Sequence, residues 1–188
     1  MNRGIIRLAM RSSPTQRIAK NAIMLALLCI VGMFSIPLME NIKVSLQLLA
    51  VLIICFLAEG FADALIVISS YVLIGLFLPV YAGFSCGISP TFGFVLGFVL
   101  ASPAFYFLAR LPKIPSVLAM GIAGVVGTLI VYASGTVFMM LYLNWSLSKT
   151  LLAGVIPYIP FDIGKIALAS ALQYALPKQI ACRGARKQ

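Results

Sequence analysis

The sequence predicts an all-α integral membrane protein, a bundle of about six transmembrane helices with both termini in the cytoplasm. Three observations lead there. Of the 188 residues, 62% are hydrophobic and 10% charged, whereas an ordinary soluble domain is roughly a quarter charged. The charges fall between long uncharged runs, and the basic ones gather in alternate connections. A transmembrane helix takes about 20 mostly apolar residues to cross roughly 30 Å of hydrocarbon. The length therefore holds about six spans in one membrane domain, residues 1–188, with basic cytoplasmic tails at about 1–19 and 177–188.

The runs appear in order. The first, Asn21 to Met39, is too long for a typical signal-peptide core and reads as a retained helix. Val44 to Ala58 follows; its 15 residues are short for a bilayer and predict a distorted or partly re-entrant helix. Ala64 to Ala109 is 46 residues long, enough for two helices, and turns where Pro, Gly and Ser gather in PVYAGFSCGISP, Pro79 to Pro90. Ile114 to Ser148 and Thr150 to Leu176 complete the set, the last interrupted by Asp162 and Lys165. The predicted spans are 20–38, 45–58, 63–79, 91–110, 115–142 and 149–176.

With the N-terminus inside, 11 of the 14 basic residues lie in cytoplasmic segments: Arg3, Arg7, Arg11, Arg17 and Lys20 at the start, Arg110 and Lys113 between helices 4 and 5, and Lys178, Arg183, Arg186 and Lys187 at the end. Lys43 and Lys149 face outward. This asymmetry sets the orientation, and the tails would also meet anionic lipid head groups. The turn AEGFAD between helices 2 and 3 departs from the pattern with Glu59 and Asp63, but acids count little in the rule.

Composition excludes several functions. The net charge of +10 does not point to nucleic acid, because no aromatic residue interleaves the basic ends. Four scattered cysteines give no disulfide framework. Without histidine, and with four acids in all, neither a metal-ligand cluster nor an imidazole-based catalytic site can be assembled. No cofactor is expected, and no phosphate loop of the G-x-x-x-x-G-K-[ST] type is present. ATP, if it drives the protein, must be hydrolysed by other subunits.

The segment PYIPFDIGK carries the most chemistry. An ionisable side chain at a helix centre costs about 2.5–3.5 kcal/mol on insertion scales, yet Asp162 and Lys165 sit there, three residues apart on one face. Two readings fit: a salt bridge that locks the bundle, or a solvated cavity in which Lys165 meets an anionic group. Pro157 and Pro160 free backbone carbonyls that a cavity can satisfy. The loop Pro79 to Thr91 is longer than a minimal hairpin requires, so it is either a plain connector or a lid in which Tyr81 and Phe84 cover an apolar ring. Gln47, at the start of helix 2, offers donor and acceptor to ligand or water. Thr91 either caps helix 4 or contacts the ligand.

Gly93, Gly97 and Ala101 in helix 4, and Gly121, Gly124 and Gly127 in helix 5, predict close helix packing. Ala22 and Ala26 form a small-xxx-small pair near the start of helix 1, suited to docking on another helix in the chain or in a partner.

Three segments, VSLQLLAV, PVYAGFSCGISPTFGFVLGF and PYIPFDIGKIALASAL, resemble in order and spacing the V-x-L-Q, P-V-F-A-G-G…G-P-T-G-G-Y-x-x-G-F and P-x-D-x-x-K elements of the BioY family, the biotin-specific S components of energy-coupling factor transporters. The resemblance implies a six-helix S component of a bacterial plasma membrane. Its pocket would lie near the outer surface, closed by the loops between helices 1 and 2 and between helices 3 and 4. It also implies that Asp162 and Lys165 contact biotin, Lys165 at its carboxylate, and that Gln47, Tyr81, Phe84, Ser85, Thr91, Phe92 and Tyr158 lie at the ligand. Ala22 and Ala26 would dock on a transmembrane T subunit coupled to two ATPases. Phe84 stands where the family has a second glycine, and Phe92 and Phe94 replace a glycine and the tyrosine of G-P-T-G-G-Y, which makes the lid bulkier and more apolar.

The function expected is capture of biotin at the outer face and its delivery inward without chemical change. Alternatives are an S component or carrier for another small anionic vitamin, or a solitary biotin facilitator. An intramembrane enzyme would have one carboxylate and one amine to work with, and a purely structural subunit would use the pair as a lock.

Overall fold

A computed structural model describes residues 13–39, 42–112 and 114–175. The basic residues expected in the tails at Arg3, Arg7, Arg11, Lys178, Arg183, Arg186 and Lys187, together with Lys113, lie outside the described residues.

Helix α1 spans Pro14–Met33, earlier at both ends than the predicted 20–38. Ser13 and Gln16 close a reciprocal capping box, and Pro14 occupies the first turn, where its missing N–H costs nothing. Arg17 and Lys20 therefore ride on the helix rather than in a tail. Its end is set by extended backbone at Phe34, and Pro37 cannot continue a helix. The stretch expected to finish helix 1 instead forms strand β1, Ser35–Met39, paired antiparallel with β2, Ile42–Ser45, Ser35 opposite Ser45 and Ile36 opposite Val44. This small hairpin is the one departure from an all-helical fold among the described residues.

Helix α2, Gln47–Leu57, has 11 residues, about 16 Å of rise. It is a short regular helix, extended at one end by the hairpin and closed at the other by Arg110. That guanidinium donates to Cys55 O (2.9 Å), Phe56 O (2.7 Å), Ala58 O (3.0 Å) and Tyr106 O (3.0 Å) and stacks 3.7 Å from the Tyr106 ring. The last carbonyls of α2, which have no partner within their own helix, are satisfied by a side chain from another one.

Helices α3, Phe61–Phe77, and α4, Phe92–Leu108, flank the Leu78–Thr91 loop, and α5 runs Ser116–Leu143. Most of the small residues do what their spacing predicts; Gly121 does not, since a side chain there would meet only the Ser170 hydroxyl, at 3.9 Å. A side chain on Gly97 would meet the Val131 backbone at 2.9 Å, one on Gly93 the Phe138 side chain at 2.2 Å, and one on Gly127 the Phe105 ring at 2.0 Å. The order of these contacts makes α4 and α5 antiparallel. Gly124 meets Ile166 in the same way, bringing in the last helix.

The predicted sixth span is broken. Helix α6, Leu147–Gly154, passes through a 3-10 turn, Ile156–Tyr158, into α7, Ile159–Ala175. Pro157 and Pro160 have no N–H for a continuous ladder, and the break falls just before Asp162.

Pro14–Met33, Ser116–Leu143 and the Leu147–Leu172 run are long and apolar enough to cross a membrane; Gln47–Leu57, Phe61–Phe77 and Phe92–Leu108 are shorter apolar helices. Large apolar side chains also face outward all round, among them Leu27, Leu73, Leu100, Leu129 and Ile163, the pattern of a surface solvated by lipid rather than water. The chain is a multi-pass membrane protein.

Contacts sort the helix ends into two groups. Arg17, Lys20, the Leu57–Asp63 turn and Arg110 gather at one end. Gln47, the Leu78–Thr91 loop and the start of α7 gather at the other. The acidic turn is neutralised by α1: Arg17 pairs with Asp63 at 2.7 Å, Asn21 donates to Asp63 at 3.0 Å, and Lys20 reaches Leu57 O at 2.9 Å and Glu59 at 3.7 Å.

Candidate functional site

Asp162 and Lys165 lie in the first turns of α7, 8% and 9% exposed. The Lys165 ammonium donates to Asp162 Oδ1 at 2.6 Å, and the Tyr132 hydroxyl of α5 donates to Oδ2 at 2.6 Å. Both carboxylate oxygens are thus engaged, one by charge and one by a neutral donor. The group sits just beyond the proline break between α6 and α7. Tyr132 was missed by sequence reasoning. It is one hydroxyl in a long apolar run, and its partner comes from another helix.

A second polar group forms at the start of α2. Gln47, 6% exposed, takes the Ser45 hydroxyl on Oε1 at 3.2 Å and donates through Nε2 to the Tyr71 hydroxyl. Tyr71 in turn donates to Val80 O at 3.0 Å, which anchors the Leu78–Thr91 loop to α3. Tyr81 turns inward, donating to Val72 O at 2.6 Å, and its ring lies 5.6 Å from Tyr71 and 6.2 Å from Phe92. Phe92 continues the row to Phe138 on α5, centroids 5.8 Å apart. An aromatic wall therefore runs from α3 through the loop and α4 to α5, the helix that also carries Tyr132.

The remaining loop residues lie closer to the surface. Ser85 closes a tight turn, accepting from Tyr81 N through its carbonyl at 3.0 Å and donating through its hydroxyl to Ala82 O at 3.1 Å. Phe84 is 63% exposed and left-handed at φ 59° between Gly83 at φ 70° and Gly87 at φ 74°, a conformation costly for any residue but glycine. Its ring stands edge-on to Phe34 at 6.4 Å, and Gly83 N donates to Met33 O at 3.1 Å. The loop is thereby tied to the end of α1. Thr91 occupies the N-cap position of α4 without a side-chain capping bond; its exposed hydroxyl instead meets Ser89 Oγ at 3.1 Å. Tyr158 is half-buried in the 3-10 turn.

The structure thus brings Asp162 and Lys165 together, joins Gln47, Tyr81 and Phe92 in a buried network, and leaves Phe84 and Thr91 exposed. Ala22 and Ala26 are exposed on α1 beside Ile18, Ile23 and Leu27, so they pack against no other helix among the described residues. At the opposite end, a cleft of about 330 Å³ lies between Pro14, Arg17, Ile18, Asn21, Asp63 and Ile66. Asp63 already neutralises Arg17 there, so the cleft offers no free charge to an anion.

The profile of the BioY family matches residues 6–181. A biotin transporter BioY from Thermotoga maritima is 29% identical over 168 residues, covering 87% of this chain and 96% of that one. A biotin transporter BioY from Rhodobacter capsulatus is 28% identical over 168 residues, 80% and 88% of the two chains. A probable biotin transporter BioY from Pyrococcus horikoshii is 32% identical over 111 residues, 58% and 63%. The crystal structure of the S-component for biotin from an ECF-type ABC transporter shares the fold, with a TM-score of 0.73, 21% identity, and coverage of 95% of this chain and 96% of that one. A match that runs almost end to end, across the loop, the aromatic wall and the buried Asp–Lys pair alike, makes this chain a member of the BioY family.

Proposed function

We propose that the chain is a biotin-binding S component: it captures biotin from the outer face of a bacterial plasma membrane and delivers it inward without chemical change. The observation that carries the reading is the buried Asp162–Lys165–Tyr132 group behind the proline break, in a chain whose relatives are named biotin transporters. An ion pair in an apolar bundle presents a strong acceptor and a strong donor side by side. Lys165 has ammonium hydrogens beyond the one given to Asp162, available to a ligand oxygen such as a carboxylate. The aromatic wall of Tyr81 and Phe92, with Gln47 in the same buried network, supplies surface for a ring, and Ser85, Thr91 and Tyr158 the remaining polar groups. Phe84, held to Phe34 across the mouth, would close over the ligand.

In this reading the six apolar helical runs are six spans of one membrane domain, with α6 and α7 as a single broken span and both termini cytoplasmic. Arg17, Lys20 and Arg110 gathered at one end support it, against Lys149 at the other, which lies over Trp145 at 4.2 Å. Transport is the function, not catalysis.

The exposed Ala22–Ala26 face of α1 would dock on a T subunit coupled to two ATPases, since small residues let helices approach closely in lipid. Replacing both alanines with leucine is expected to abolish capture of those subunits in mild detergent while leaving biotin affinity unchanged. Equal capture by the variant would show that α1 is not the docking face. Saturable binding of labelled biotin to the solubilised chain is the test of the function itself.

One observation favours a second reading. Asp162 and Lys165 already satisfy each other at 2.6 Å, as a structural lock would.

A further inference from the structure

Three buried hydroxyls on these helices are paired by folding back on the preceding turn. Ser102 donates to Val99 O at 2.7 Å, Thr150 to Ser146 O at 3.0 Å and Ser170 to Ile166 O at 2.9 Å. Thr128 on α5 does not. It is 6% exposed, and among the described residues its Oγ1 has no hydrogen-bond partner.

Its position gives the orphan hydroxyl a meaning. One turn before it, Gly124 lies against the Ile166 side chain, and one turn after it Tyr132 donates to Asp162. Residues four apart share a helix face, so Thr128 stands between those two contacts. It faces the stretch of α7 from Asp162 to Ile166, the turn that carries Lys165. Valine has nearly the same shape and would avoid the loss of hydration that an unpaired hydroxyl suffers on burial. A position serving packing alone has no use for the oxygen.

We propose that Thr128 is a specificity-determining residue, its hydroxyl hydrogen-bonding a polar atom of the ligand held by Asp162, Lys165 and Tyr132. The proposal rests on the biotin-binding reading above. The ligand removes the burial penalty of the hydroxyl, and a ligand lacking a hydrogen-bonding atom at that point is disfavoured by leaving it unpaired.

The test compares wild type, Thr128→Val and Thr128→Ser for equilibrium binding of labelled biotin and for thermal unfolding without ligand, all in detergent. Thr128→Val is expected to weaken binding by roughly five- to tenfold or more, with an unfolding temperature unchanged or raised. Thr128→Ser, which keeps the hydroxyl, is expected to bind within about threefold of wild type. Thr128→Val binding as tightly as wild type overturns the proposal and leaves the biotin reading standing. A wild-type protein that does not bind biotin overturns both. A purely structural threonine would lower the unfolding temperature in Thr128→Val and leave the affinity unchanged, which also overturns the proposal.

Discussion

Lys165→Ala is expected to destabilise the protein by about 3–5 kcal/mol, the usual cost of stripping one partner from a buried ion pair, and to abolish biotin binding. Asp162 would keep the Tyr132 hydroxyl but lose the ammonium 2.6 Å away. Its charge would then sit in the bundle without a countercharge. Loss of binding alone does not separate a ligand site from a lock, because a misfolded variant binds nothing. The separating variant replaces both residues, Asp162→Leu with Lys165→Met. Removing both charges of a buried pair is often neutral or stabilising, so the double variant should recover the wild-type unfolding temperature in detergent. It should still fail to bind biotin. Recovery of binding together with stability would mean that the pair is a lock and that the ligand lies elsewhere.

Arg110→Ala should produce the other large effect, on stability alone. Four carbonyls lose a charged donor at once, three of them at the end of the 11-residue α2, where Cys55 and Ala58 are buried and the surrounding apolar side chains offer no replacement. Hydrogen bonds to charged groups contribute about 1.5–3 kcal/mol each. They are not additive here, but a loss of about 3 kcal/mol or more is expected, seen as a lower unfolding temperature and a poor yield of folded protein. Arg110→Lys should recover part of it, because an ammonium reaches the carbonyls without the planar fork that serves several at once. An Arg110→Ala protein that unfolds at the wild-type temperature would show that the short helix is held by packing alone.

Both variants concern residues that the sequence exposed unequally. Asp162 and Lys165 stand out because ionisable groups in a span are rare, and the prolines before them announce the break. Arg110 read as a topology signal, a basic residue in a connection; nothing local shows that it folds back over the end of α2, which lies about fifty residues earlier. The hairpin was hidden for a related reason. Ser35–Met39 is an apolar run like any other, and hydropathy cannot tell a strand from a helix over five residues; Pro37 was the available clue. The early start of α1 was readable in Ser13, Pro14 and Gln16, a capping signature overshadowed by the charges around it. Those charges explain the acidic turn in their own way, since Glu59 and Asp63 meet Lys20 and Arg17. Tyr132 and Thr128 belong to the site only through the packing of α5 on α7, a tertiary fact without a sequence pattern.

As proposed above, the Asp162–Lys165–Tyr132 group and the aromatic wall of Tyr81 and Phe92 hold biotin. Equilibrium binding of labelled biotin to the solubilised protein, with unlabelled biotin and other anionic vitamins as competitors, tests it most directly. Saturable binding at or below micromolar ligand is expected, displaced by biotin and not by the other vitamins. Absence of saturation in that range, or displacement by a different vitamin at lower concentration than biotin, would contradict it.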